Sequence, residues 1–251
     1  MTRARSSRPA ARAAAGALAA AAAGWSFPAA APLSPPVAAA LRIPTRARLP
    51  GAVALTFDDG PDAAGTPRVL DALAGLGAPA TFFLVGEQVL RAPALAAEIV
   101  SAGHAVAVHG HRHRTLLRLA PRAVARDLDC AAGAIGAHAG VVPRLHRAPY
   151  GVYSWAALRA VRARGWAPVL WSRWGRDWRA SATPVSVASA VGADLRAGDV
   201  LLLHDADSYS GPGCWRATLG ALPLIAEAVA ARGLGFAALT GPGDVAQPSG
   251  R

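Results

Sequence analysis

Two adjacent carboxylates, Asp58 and Asp59, close the apolar run Val53-Ala54-Leu55 within Thr56-Phe57-Asp58-Asp59-Gly60-Pro61-Asp62. In an extended strand neighbouring side chains face opposite ways, and Gly60-Pro61 marks the end of the strand, so the two acids are free for separate tasks. His109 and His113 stand one helical turn or one tight loop apart. With Asp59 they make a set of one carboxylate and two imidazoles that would hold a divalent ion and leave positions open for water and substrate. His111 lies between them, and in an extended stretch His109, His111 and His113 would share a face; a strand that ends near Gly110 favours the outer pair.

A divalent ion polarises a carbonyl and acidifies water, but hydrolysis of an amide or ester also needs a base and an acid. Asp58 is the candidate base. His204, directly after Val200-Leu201-Leu202-Leu203, is the candidate acid, since a protonated imidazole there would reach a leaving nitrogen. Arg147 would pair with Asp58 and keep it ionised, and Asp177 would orient His204 and favour its charged form.

These side chains are spread over some 150 positions, so the elements must converge. Apolar runs at 52–57, 80–85, 105–108, 144–148, 168–171, 200–203 and 235–239 alternate with helical patterns at 66–76, 94–102, 121–138, 154–164, 186–196 and 218–232. That alternation predicts an α/β fold with a parallel sheet and covering helices, open or closed into a barrel. The candidate residues all fall at or beyond the carboxyl ends of their runs, the edge that carries the site in barrel-type α/β folds.

The formal charge of +11 would suit a polyanion, yet all 26 basic residues are arginine. Seven of them lie in residues 1–50 with no acid, which leaves 19 against 15 acids for the remainder. The basicity belongs mostly to the leading segment, and nucleic-acid binding is excluded as the function. Cys130 and Cys214 show no metal-ligand spacing; Cys130, on a helical pattern, reads as a small buried hydrophobe.

Residues 13–41 carry no charge and follow Arg3, Arg5, Arg8 and Arg12, the layout of a secretory signal or membrane anchor; alanine and proline dominate, which also suits a disordered linker. The expected organisation is a basic, Ala/Pro-rich segment at 1–50, one domain at 51–241 and a flexible tail at 242–251. The cell envelope or the exterior is the expected location, with a cytoplasmic or membrane-anchored chain as the alternative, and membrane association would run through the leading segment.

Together these segments resemble the polysaccharide deacetylases of the NodB-homology type, carbohydrate esterase family 4, across about residues 52–240. Five motifs match in order. TFDDGPD is similar to the first, which implies Asp58 as base and Asp59 as metal ligand. HGHRH at 109–113 is similar to the second, which implies His109 and His113 as ligands; the Ser or Thr usual after the first histidine is Gly110 here, and its supporting hydroxyl is lost. RAPYG at 147–151 resembles the third, in which the arginine positions the base and the backbone amide at Tyr150 helps hold the oxyanion. RDW at 176–178 resembles the end of the fourth, with Asp177 tuning the acid and Trp178 walling the groove, while Trp174 stands where an Asp is usual. Leu202-Leu203-His204 resembles the fifth, with Leu202 lining the acetyl-methyl pocket and His204 as the acid.

The resemblance implies a distorted (β/α)7 barrel and a metal-dependent hydrolase that removes N-acetyl groups from a carbohydrate such as peptidoglycan or chitin-like N-acetylglucosamine. It implies one divalent ion, zinc first, with cobalt, manganese or nickel as alternatives, a glycan as partner, and a monomer. Rival readings are a deformylase or deacetylase of a lipid-linked sugar, an O-acetyl xylan esterase, and, from another class, an inactive carbohydrate-binding homologue. Of the tryptophans at 155, 166, 171, 174, 178 and 215, Trp178 and Trp174 are the expected sugar-stacking faces, and Tyr209 and Trp215 would shape one rim.

Overall fold

The computed structural model describes residues 24–245. The expected signal or anchor lies mainly, and the expected tail largely, outside the described residues.

The central strand β1 (Ala52–Asp58) is flanked by β2 (Ala80–Leu84) and β7 (Val200–His204), and its start also pairs with β8 (Gly235–Phe236). Covered on both faces, β1 reads as a nearly unbroken apolar run, as parallel strands do. From β2 the sheet continues through β3 (Ala105–Val108) and β4 (Leu145–His146) to β5 (Ala167–Pro168); from β7 it continues to β6 (Arg173–Trp174). All these pairings are parallel.

The two edge strands β5 and β6 are nearly consecutive in sequence, and that forces the sheet to curl. Pro168 and Arg173 are joined by a stretch that reaches about 18 Å at most, whereas the edges of a flat seven-strand path would stand about 29 Å apart. The connector closes the seam: Val169 N donates to His146 O and Ser172 N to Val200 O, both at 3.0 Å. The result is the expected distorted barrel, with one difference in detail. The run expected at 168–171 is mostly the connector between β5, which ends at Pro168, and β6, which starts at Arg173, and Leu170 N there turns aside to Pro44 O at 2.8 Å; the described residues hold eight strand segments.

Helices cover the outside: α2 (Thr66–Leu76), α4 (Pro93–Ser101), α5 (Pro121–Ala139), α6 (Trp155–Ala163), α7 (Pro184–Gly192) and α8 (Trp215–Ala230), after an early α1 (Pro35–Ala40). Their starts follow local rules. Pro lies in the first turn of α2, α4, α5 and α7; Ser154 accepts from Ala157 N at the start of α6; Thr183 and Ser186 close a capping box on α7. Short α3 (Gly86–Arg91) has no counterpart in the sequence reading, since six residues give too little periodicity.

Packing extends past the expected domain limits of 51 and 241. Ala31, Ala38, Leu41 and Ile43 are buried in the core between sheet and helices, and Ala47 and Val245 join the small-residue core inside the barrel with Ala54, Phe83, Ala107 and Val200. Cys130 is exposed rather than buried, Cys214 is buried, and the two form no disulfide. The helical face of α5 that carries Cys130 points away from the core, which is filled instead by Leu128, Ala131 and Ile135.

Candidate active site

Register explains why the chemistry collects at one edge. Asp58 is the register partner of His204 on one side and of Phe83 on the other, and Val108 pairs with His146, so His109 and Arg147 emerge together. Asp58 and Asp59 diverge as expected, because Asp59 takes a left-handed backbone with φ 78°.

Asp58 is held by Arg147, whose Nη1 donates to Asp58 Oδ1 at 2.6 Å and to Thr56 Oγ1 at 2.9 Å, while Nη2 donates to Leu170 O at 3.1 Å. The guanidinium is fully buried and lies 4.0 Å over the Phe83 ring. The bond from a buried guanidinium fixes the orientation of the Asp58 carboxyl group.

Asp59, His109 and His113 form the one cluster among the described residues whose donor atoms could share an ion, all within 4.8 Å. Their fit to a metal rests on three observations. Asp59 Oδ1 is buried with no hydrogen-bond partner, and His109 Nε2 and His113 Nε2 lie 3.4 and 3.2 Å from it. His109 Nδ1 stands 2.9 Å from Arg147 O, and donation to that carbonyl leaves the Nε2 lone pair facing the cluster. Burial pushes His113 down to about 4 despite the Asp59 charge, so its imidazole is neutral near pH 7. Burial alone would raise Asp59, but the His109 ring and the charge of His204 are foremost in bringing it down to about 2. A buried carboxylate and two imidazoles whose Nε2 atoms face it suit a divalent cation.

His111 is not part of this cluster. Its ring packs against Gly86, and its N–H donates to Asp127 Oδ2 at 2.8 Å. The loop is tied to α3 by Gly86 N to Gly110 O and Glu87 N to His111 O, both 2.9 Å. Gly110 adopts φ 89°, and a Cβ there would stand 3.2 Å from Asp127 Oδ2. Backbone bonds and Asp127 thus support the loop in place of a hydroxyl at position 110.

Across the pocket, His204 Nδ1 meets Asp177 Oδ1 at 2.9 Å. Asp177 Oδ2 accepts from His204 N and from Thr218 Oγ1, both at 2.6 Å, so the carboxylate is fixed on three sides. Burial works against a charged His204, yet Asp177 and the more distant Asp59 and Asp58 raise it to about 10. His204 Nε2 faces Asp59 Oδ2 at 4.0 Å.

Asp58, Asp59, His109, His113 and His204 line one pocket of about 300 Å³ with Tyr150, Gly151, Leu202, Tyr209, Ser210 and the tryptophans at 171, 174 and 178, while Arg147 and Asp177 are buried behind it. Trp171, Trp174 and Trp178 follow one another with ring centroids 5.9 and 5.5 Å apart. Trp215 is buried and does not reach the pocket. Tyr150 has φ 60°, and as the second residue of its 3-10 turn (Pro149–Gly151) its N–H has no acceptor within that turn. Tyr209 stacks on His113 at 4.4 Å, donates to Glu87 Oε1 at 2.7 Å and accepts from Gln88 Nε2 at 3.1 Å.

Sequence reasoning missed Thr56, Thr66, Glu87, Asp127 and Asp205. Asp205 is fully buried beside the acid; Thr66 Oγ1 donates to it and accepts from Asp62 N at 2.7 Å, and a Cβ at Gly60 would lie 2.5 Å from its Oδ2. Asp205 thereby joins the turn after β7 to the turn that carries Asp58 and Asp59. Its position next to His204 was the only signal in the sequence.

The family described as polysaccharide deacetylase matches residues 46–169. Over 155 residues the chain is 41% identical to a chitooligosaccharide deacetylase of Bradyrhizobium sp. (strain ANU 289), spanning 61% of this chain and 70% of that protein. The chain belongs to the polysaccharide deacetylase family. It is also 36% identical over 157 residues to a peptidoglycan-N-acetylglucosamine deacetylase of Bacillus cereus (strain ATCC 14579), covering 61% of this chain and 72% of the relative. Among solved structures, the family 4 carbohydrate esterase of Streptomyces lividans in complex with acetate superposes with a TM-score of 0.70 at 31% identity, covering 80% of this chain and 100% of the other. The polysaccharide deacetylase fold accounts for the parallel, curled sheet and for the five motifs at its carboxyl edge.

Proposed function

We propose that this polysaccharide deacetylase hydrolyses N-acetyl groups of acetamido sugars, releasing acetate and a free amine, with zinc as its ion. The observation that carries the reading is the division of one pocket: Asp58, pinned by Arg147, stands beside the Asp59–His109–His113 cluster, and the Asp177–His204 pair faces both. Zinc suits a site of two imidazoles and one carboxylate, and when bound it would polarise the acetyl carbonyl and acidify water.

The remaining work falls to the chain's own groups. Asp58 takes the proton from the attacking water. The Tyr150 N–H donates to the developing oxyanion, an interaction of about 3 to 4 kcal/mol where geometry is good. His204, kept protonated by Asp177, gives its proton to the leaving nitrogen; an ester would not need it as strongly, since an alkoxide is a better leaving group than an amide nitrogen. Leu202, buried at the pocket floor, offers an apolar wall to the methyl group, and Trp178 offers a face to the sugar. The relatives named for N-acetylglucosamine polymers support the choice of amide over ester.

We place this activity at the cell envelope, on the support of the uncharged stretch 13–41 behind four arginines. Among the described residues no helix is long and apolar enough to cross a membrane. Fractionation of cells that express the full chain tests the location: protein confined to the cytosolic fraction would refute it.

For the activity, purified protein supplied with zinc should release acetate from N-acetylglucosamine oligomers or peptidoglycan, and chelation should stop it until metal is restored. Full turnover in excess chelator would overturn the metal assignment. Release from acetylated xylan alone would move the chain to the ester reading, and binding without release would make it an inactive homologue.

A further inference from the structure

Beyond the aromatic wall lies a second depression. Trp178 and Ser210 line the reaction pocket, and the residues that follow them, Arg179 and Gly211, line a neighbouring pocket of about 350 Å³. Gly211 N donates to Trp178 O at 3.4 Å, so the two pockets share a wall. Arg179 and Arg216 both border the second pocket and both are exposed. Among the described residues neither guanidinium has a carboxylate partner; Arg216 lies over the Trp215 ring at 4.5 Å. The nearby acid, Asp207, turns its Oδ2 inward to accept from Gly213 N at 2.5 Å. Arg176, also exposed, lies 4.9 Å over Trp174, which lines the reaction pocket.

Two unpaired guanidinium forks bordering one depression favour an anion, because each fork matches the paired oxygens of a carboxylate or phosphate. Continuity with the reaction pocket says where that anion would come from. A glycan seated with its acetamido group at Asp58 and His204, and a ring against Trp178, would have its neighbouring sugar at the shared wall.

We propose that the second pocket is an anion subsite that takes a negatively charged substituent, carboxylate or phosphate, on a sugar adjoining the one that is deacetylated. This rests on the deacetylase reading, and it narrows the substrate class to acidic glycans. Size-matched oligomers test it: neutral N-acetylglucosamine chains, chains in which N-acetylglucosamine alternates with a uronic acid, and chains carrying a sugar phosphate.

With zinc present, KM for a charged oligomer should be about tenfold lower than for the neutral one, in keeping with a charge-assisted hydrogen bond. Whichever charged chain shows the lower KM identifies the substituent. The double variant Arg179→Gln, Arg216→Gln should erase that advantage and leave kcat and the neutral substrate unchanged; added salt should do the same to the unmodified protein. Equal KM values for neutral and charged oligomers, or an equal loss on both in the double variant, would refute the subsite. Were no oligomer deacetylated, tryptophan fluorescence titration with the same three would still decide it, since a preference for charged chains that the double variant abolishes needs no turnover.

Discussion

Asp58 and Asp59 are chemically identical and one residue apart, and the environment alone separates them. Asp58 sits against a buried guanidinium, whereas Asp59 is turned by its left-handed backbone toward two imidazoles. Asp58→Asn should therefore keep the metal and lose turnover by about two to four orders of magnitude, the usual worth of a general base. His109→Ala should instead lose metal, because it removes both a proposed ligand and its anchor to Arg147 O. Metal content by atomic emission and kcat by acetate release check the pair; equal metal content with normal rates in both would refute the division of labour. Arg147→Ala should be more damaging to the fold than either. It strands a buried carboxylate and opens a cavity over Phe83, at a cost of about 3 to 5 kcal/mol in denaturant unfolding.

At the scale of elements, the site depends on three turns held in register by groups outside the five motifs. Gly110 has φ 89° and little space beside Asp127, so Gly110→Ala should cost about 1 to 2 kcal/mol and weaken metal binding, read by calorimetric titration with zinc. Unchanged affinity would show that the loop tolerates the side chain. Asp205 ties the turn after β7 to the turn after β1 through Thr66. Burial raises its carboxyl from 3.8 to about 7. A group whose folded value is raised contributes its full stability below the unfolded value, so this contribution is present below about 3.8 and is lost as pH rises to about 7. In metal-free protein, Asp205→Asn should flatten that part of the stability profile between pH 4 and 7. Parallel profiles for the variant and the unmodified chain in urea unfolding would refute it.

For the whole molecule, the barrel seam is what the leading residues complete. Leu41 and Ile43 are buried in the core, Pro44 O accepts from Leu170 N, and Ala47 N donates to Gly198 O at 2.7 Å. A chain beginning at residue 51 loses two large apolar side chains worth about 1.5 to 3 kcal/mol each and uncovers the seam. Its urea midpoint should fall well below that of a chain beginning at residue 24, and matching midpoints would show that the packed segment is dispensable. The boundary was hard to place from sequence because Ala/Pro composition describes this segment's solubility and stiffness, not the groove it fills.

Sequence alone determined the fold class and which candidate residues meet at one edge of the sheet. Strand ends are visible as apolar runs that break at polar residues, and parallel strands bring all such ends to one edge. The Asp58–Arg147 and Asp177–His204 pairs and the cluster Asp59, His109 and His113 were legible for that reason, and each is realised as a contact. Only the tertiary structure decided that His111 turns to Gly86, that Asp127 and Asp205 brace the loops, and that Trp171 joins Trp174 and Trp178 in one wall. Those outcomes depend on the rotation of each turn and on neighbours distant in sequence, which periodicity and motif spacing do not encode. The two acids of the first motif are thus adjacent by covalent structure, and their different roles arise from the strands that close around them.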